Sequence, residues 1–189
     1  MIAGALVGPE TEQKLLDAGV KDSKRVSDTR ATALARLIRQ SCPCTVVTIG
    51  PEKYNELIDK MPNLNALMGW GHARVIENLL EKVDCSVVIS DKFGKDQYIE
   101  NALQKRGRTI TLIQRTKAES DTAVAAASIL ARDTFLTKMD QLSDKFGMEL
   151  PRGAGDRVIH AAREFVAKHG KNALGQVVKL HFKTTKSVL

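Results

Sequence analysis

Long apolar runs are missing from this sequence, and nothing in it approaches the roughly 18 consecutive apolar residues that a membrane span needs. The opening residues, MIAGALVGPETEQ, carry no basic stretch, and their apolar run is too short for a secretory signal. Cysteine is scarce: Cys42, Cys44 and Cys85 are the whole supply. One residue separates Cys42 from Cys44, which is neither the CxxC spacing of a zinc site nor a disulfide framework. All three are therefore expected as free thiols in a reducing cytoplasm, with Cys85 a small buried hydrophobe. Low-complexity tracts, proline-rich linkers and internal repeats are also lacking, so residues 1–189 are expected to form a single domain.

What is present describes an ordinary globular chain with a basic bias. Hydrophobic residues make up 43% and charged residues 27%, as in a typical folded domain. A net charge of +7 and a pI near 9.4 favour a polyanionic partner, because lysine and arginine displace counterions from phosphates. The bias is clustered. Lys21, Lys24 and Arg25 form one group, and residues 179–186 (KLHFKTTK) interleave cations with an aromatic ring.

Apolar patterning alternates between strand and helix. Residues 2–7, 44–49, 85–90 and 109–114 are short β-branched runs bounded by Gly, Pro or polar residues, and read as strands; residues 85–90 suit a strand buried on both faces. Helices are expected at 11–18, from an N-cap at Ser27 to about 40, at 51–60, 63–83, 96–105, 121–146 and 156–169, with a strand-like tail at 177–182. The helix at 63–83 contains Gly69-Trp70-Gly71; each interior glycine costs about 1 kcal/mol relative to alanine, so close packing or a kink must offset it. The stripe of the helix at 121–146 runs through Val124, Ala127, Ala131, Phe135, Met139, Leu142 and Phe146. The order implies an α/β domain with a partly parallel sheet.

Two carboxylates stand where such sheets place their chemistry. Asp91 follows the strand at 85–90, and Glu119 follows the strand at 109–114 just ahead of a helix. Parallel pairing of those strands brings both acids to one sheet edge, where hard oxygen ligands suit Mg²⁺ or Mn²⁺. Lys117 is placed to contact a phosphate or offset that charge. The competing reading is structural: Asp91 opens a turn, while Glu119 and Asp121 favour a helix N-terminus. The alternating Lys179, His181 and Lys183 share one face of a strand-like tail, as a phosphate-tracking row or as a solvated basic edge. His72 and Trp70 are expected in the core, and His160 and His169 at the surface.

Residues 116–133, TKAESDTAVAAASILARD, resemble the helix entry of the type 2 ribonucleases H. Residues 63–72 (NLNALMGWGH), 19–24 (GVKDSK) and 179–183 (KLHFK) resemble the ribonuclease HIII branch of that family. The resemblance implies a ribonuclease H-like fold, with a mixed central sheet flanked by helices. It implies an endonuclease of replication and repair that cleaves the RNA strand of RNA–DNA hybrids with Mg²⁺ or Mn²⁺. By the same resemblance Asp91 matches the third catalytic acid, Glu119 the fourth, and Lys24 a position near the substrate.

The family's first two acids form an Asp-Glu dipeptide ahead of the segment resembling IAGALV, and no such dipeptide occurs here. Glu10 and Glu12 fit the first turn of a helix and do not replace it. The branch also carries an N-terminal TATA-binding-protein-like domain, which the resemblance does not place within residues 1–189. The resemblance thus implies a truncated first strand, exposed N–H and C=O groups on its neighbour, and negligible cleavage by this chain. The alternative function is a non-catalytic module that binds RNA–DNA hybrids or RNA.

Overall fold

Gly-Pro pairs mark the points where strands give way to helices. Gly8 precedes α1 (Pro9–Asp17) and Gly50 precedes α3 (Pro51–Ile58), each helix opening on a proline whose missing N–H costs nothing there. The structure, a computed structural model, describes residues 1–21 and 26–188, so Lys24 and Arg25 lie outside the described residues. The Ser27 hydroxyl accepts from the Arg30 N–H and caps α2 (Asp28–Ser41), as its sequence position predicts. Asn63 does the same for α4 (Leu64–Leu80) through the Ala66 N–H.

The described residues form two compact units. The larger comprises Met1–Thr48 and Asn63–Phe135, the smaller Ile49–Pro62 and Leu136–Leu189. In the larger unit β1 (Ile2–Ala5) pairs antiparallel with β2 (Cys44–Val47), while β3 (Val87–Asp91) pairs in parallel with β4 (Thr111–Arg115). The expected parallel pair is therefore present, but the four strands make two separate two-stranded sheets. The expected helix at 96–105 shortens to α5 (Gln97–Glu100), followed by turns.

α4 packs on one face of β1, and its glycines explain how. A Cβ on Gly69 would collide with the Tyr98 carbonyl, and one on Gly71 with the Ile2 side chain. Close approach, rather than a kink, offsets the two interior glycines. Trp70 turns outward: it is half-exposed and the Arg74 guanidinium lies 5.9 Å over its ring, so the core placement expected for it does not hold. The other face of β1 meets a core of Leu15, Leu34, Ile38, Ala126, Ile129 and Leu130 from α1, α2 and α6 (Thr122–Phe146).

The buried face of α6 within this unit is Ala125, Ala126, Ile129, Leu130 and Asp133. The expected stripe is a different face: Val124, Ala127 and Ala131 line a cavity, and Phe135 is 40% exposed. Both faces are apolar, and helical periodicity alone does not choose between them. β3 departs from expectation in the same direction. Val87 is 47% exposed and only Ser90 is fully buried, so the strand is covered on one face rather than two. Cys85 sits half-buried just ahead of the strand, its thiol 3.0 Å from the Val87 carbonyl, and all three cysteines are free.

The smaller unit is helical. α7 (Asp156–His169) ends at Gly170, whose positive φ stops it, and packs Phe165 against Phe146 and Leu174. No helix among the described residues is long and apolar enough to cross a membrane.

Candidate active site

Asp91 is the last residue of β3 and lies in register with Arg115 at the end of β4. Parallel strands run their carboxyl ends to one edge, so the chain leaving β4 turns back within reach of Asp91. Lys117 adopts a left-handed conformation (φ 55°) and opens a 3₁₀ turn, Ala118–Ser120. That turn directs the Ala118 N–H to Asp91 Oδ1 at 3.1 Å. The same turn carries Glu119, and both Asp91 and Glu119 line one cavity of about 480 Å³. Asp121 is engaged elsewhere, accepting from the Ala123 N–H at 3.0 Å and pairing with Arg115 at 3.4 Å.

His72 from α4 also reaches this cavity. Its ring stacks on Phe93 with centroids 5.0 Å apart, and Nδ1 lies 3.3 Å from Ser90 Oγ. Burial pushes its pKa down to about 4, against the opposing pull of Asp91, so the ring is neutral at physiological pH. Of Glu10 and Glu12, both in the first turn of α1, Glu12 accepts from the Thr122 hydroxyl at 2.9 Å and ties α1 to the start of α6.

The acid pair suits a hard divalent cation in donor type. Among the described residues no cluster of three or more His, Cys, Asp or Glu side chains is gathered. Two carboxylates nonetheless match the way Mg²⁺ is held, since that ion keeps several waters and takes phosphate oxygens as further ligands.

The smaller unit holds the C-terminal cations, and here the expected strand is absent. Residues 171–176 form a 3₁₀ helix, turns follow, and α8 (Lys183–Lys186) begins at Lys183. Lys179, His181 and Lys183 therefore do not share a strand face. The cause is a side chain. Asn55 of α3 donates to the carbonyls of Gly175 and Val178 (2.9 and 3.0 Å) and accepts from the Leu180 N–H (2.9 Å), taking the place of a partner strand.

Tyr54, next to that asparagine, is buried and packs against Lys179 and His181. The Lys179 ammonium lies 4.5 Å over its ring, and the His181 ring stacks on it at 5.5 Å, with Phe182 a further 4.3 Å from His181. Desolvation against these rings lowers the Lys179 pKa. Tyr54 and Asn55 were not singled out as functional from sequence; their signal is only that a tyrosine and an asparagine follow a Pro-initiated helix start. His160 pairs with Glu164 at 3.3 Å on the surface, while His169 packs with Phe146 and Phe165.

The family model for ribonuclease HII matches residues 1–185. Ribonuclease HIII of Chlamydia pneumoniae is 48% identical over 93% of this chain and 59% of its own length. That of Protochlamydia amoebophila is 40% identical over 100% of this chain and 62% of its own. The chain thus spans about three-fifths of the length of these relatives. A crystal structure of Bst-RNase HIII in complex with Mn²⁺ superposes with a TM-score of 0.90 at 33% identity, over 98% of this chain and 62% of that one. Its likeness confirms the ribonuclease H-like α/β fold. The chain belongs to the ribonuclease HII family, and its relatives there include ribonucleases HIII.

Proposed function

We propose that this chain is the catalytic domain, both units included, of an endonuclease that hydrolyses the RNA strand of RNA–DNA hybrids with Mg²⁺ or Mn²⁺. One observation carries the reading: Asp91 and Glu119, on separate strand ends, line a single cavity. Asp91 and Glu119 are the metal-binding and catalytic acids. These two carboxylates would hold the divalent ion, which would supply Lewis-acid polarisation of a phosphodiester. The chain's own residues set the stage: the Ala118 N–H orients Asp91, and Lys117 offers a cation beside the acids. Lys179, His181 and Lys183, with Lys24, contact the hybrid's phosphates. Free thiols suit a reducing cytoplasm, where the substrate arises during replication and repair.

A second reading, a hybrid- or RNA-binding module without turnover, is favoured by the absence of a three-ligand cluster among the described residues. The two separate on a single assay set. Mn²⁺ affinity of the chain, measured by calorimetry with and without a labelled hybrid, should fall about tenfold or more in Asp91→Asn and in Glu119→Gln, the loss of one charged ligand. Any cleavage with Mn²⁺ should disappear in the same variants. Hybrid binding with no turnover, and Mn²⁺ affinity indifferent to Asp91→Asn, would leave the binding module as the function.

A further inference from the structure

In the smaller unit, Phe182 is 45% exposed and Leu180 42%, and neither joins the core that Phe165 and Leu174 anchor. A phenylalanine ring has no polar handle, so its place in water forfeits the burial that normally holds such a side chain. Nor is the segment a frayed end. Asn55 fixes the backbone at Gly175, Val178 and Leu180. The Lys179 carbonyl accepts from the Phe182 N–H at 3.3 Å and from the Thr185 hydroxyl at 3.2 Å. Thr185 is itself buried, and its N–H donates to the Phe182 carbonyl at 3.0 Å. Residues 179–185 are thus a fixed loop with an exposed ring, a preorganised surface rather than an adaptable one.

That ring ends a series. Tyr54 lies buried at its base, His181 stacks on Tyr54, and Phe182 follows His181. The Tyr54 hydroxyl, 3.4 Å from His181 Nε2, holds the middle ring in place. The Lys179 ammonium lies beside both ends, 4.5 Å from the Tyr54 centroid and 5.8 Å from that of Phe182. Lys183 follows Phe182 directly in the chain. Among the described residues, neither lysine is paired with a carboxylate.

Unneutralised cations around an exposed ring define the ligand. It must carry negative charge and, within a few bonds of it, a flat face that can lie on an aromatic. A paired duplex offers the charge but keeps its bases stacked on one another. An acidic peptide offers charge on flexible side chains, with a flat face only where its sequence supplies one. An unpaired nucleotide carries both on every residue.

We propose that Phe182, backed by His181 and Tyr54, stacks an unpaired base of single-stranded nucleic acid, while Lys179 and Lys183 take the flanking phosphates. The inference adds a single-stranded flank to the hybrid, and it rests on the hybrid reading for that setting.

The intact chain is titrated, with anisotropy as the readout, against three fluorescein-labelled eight-nucleotide strands: oligo-dT, oligo-U and an abasic deoxyribose-phosphate strand. At least one base-bearing strand should bind about tenfold more tightly than the abasic one, and the tighter of the two names the strand that supplies the flank. Phe182→Ala should bring that strand down to the abasic level, with abasic affinity, salt slope and melting temperature unchanged. Phe182→Trp should restore the preference. Lys179→Gln should weaken all three strands and lower the salt slope by about one. Equal binding of base-bearing and abasic strands to the parent would overturn the proposal, as would a Phe182→Ala chain that still prefers bases. A tyrosine-containing polyglutamate peptide of equal charge that competes as well as oligo-dT would overturn it in favour of an acidic protein segment. A blunt, fully paired hybrid keeps the two readings apart. Its affinity should be indifferent to Phe182→Ala, and its failure to bind the parent would sink the hybrid reading while leaving the single-strand result to stand on its own.

Discussion

The larger unit positions its acids with backbone ladders, whereas the smaller unit positions its cations with a side chain. Asp91 sits where it does because β3 pairs with β4 and the chain turns back at Lys117. Lys179 and His181 sit where they do because Asn55 holds the backbone from Gly175 to Leu180 against α3. Ladders repeat and side-chain clamps do not, so the first arrangement has redundancy that the second lacks. The contrast is not complete. Behind β4, Glu77 of α4 is only 5% exposed and accepts from the N–H groups of Gln104 (2.7 Å), Gly107 (2.8 Å) and Arg106 (3.3 Å). The larger unit thus has its own clamp, on the loop that enters the strand leading to Glu119.

Removing that clamp should have the largest effect on stability. Glu77→Ala should destabilise the fold by about 3 kcal/mol or more, since it strands buried N–H donors, and urea melts would read it. A loss below about 1 kcal/mol would mean that water replaces the carboxylate and that ladders alone hold the site. Next comes the clamp of the smaller unit. Asn55→Ala should cost about 1–2 kcal/mol, typical for a half-buried polar group bonded to backbone. Its diagnostic effect is on hybrid affinity, which should drop along with the salt slope as Lys179 and His181 lose their common support. Unchanged affinity would show that the cations act without the Tyr54 platform.

Smaller effects refine the backbone side of the contrast. The left-handed conformation of Lys117 costs an L-residue about 1–2 kcal/mol, so Lys117→Gly should raise stability by about 1 kcal/mol while Lys117→Ala leaves it near the parent value. If both variants lose hybrid affinity equally, the charge matters and the turn tolerates either residue. A pH-dependent effect concerns Cys42. Burial, aided by Cys44, pushes its thiol up to about 11 from the ordinary 9, so the folded state keeps a proton that the unfolded chain releases. Its contribution is whole below pH 9 and is lost as pH rises towards 11. Melting temperatures of the parent and Cys42→Ser, compared across that window, should converge at the alkaline end.

What was legible in the sequence follows the same division. The bounds of α2, α6 and α7, the start of α4 and the existence of all four strands could be read, because caps, prolines and apolar periodicity are local signals. So could the placement of Asp91 and Glu119 along one cavity, which needs only parallel pairing of two recognisable strands. The tail could not. Val177 and Val178 make it look like a strand, yet their burial is against Phe165 and Leu174, and its backbone partner is one asparagine more than a hundred residues earlier. The buried face of α6 was also illegible, because an alanine-rich helix is apolar on several sides and only the neighbours decide which side they cover. Trp70 misled for a related reason: a large ring invites a core assignment, but its neighbours Gly69 and Gly71 take the close contacts.

Those two glycines carry a consequence for anyone randomising this chain. Alanine is the residue that most favours a helix and is usually the safest guess at an interior position. At Gly69 it is the wrong guess, because a single carbon meets the Tyr98 carbonyl; at Gly71 it meets only the tip of the Ile2 side chain. In a saturation library scored for soluble, folded protein, the Gly69 column should be blank for every residue other than glycine, while the Gly71 column should admit alanine at a cost, because the end of the Ile2 side chain can move aside. The exposed positions of α4 around them, by contrast, should accept most of the alphabet.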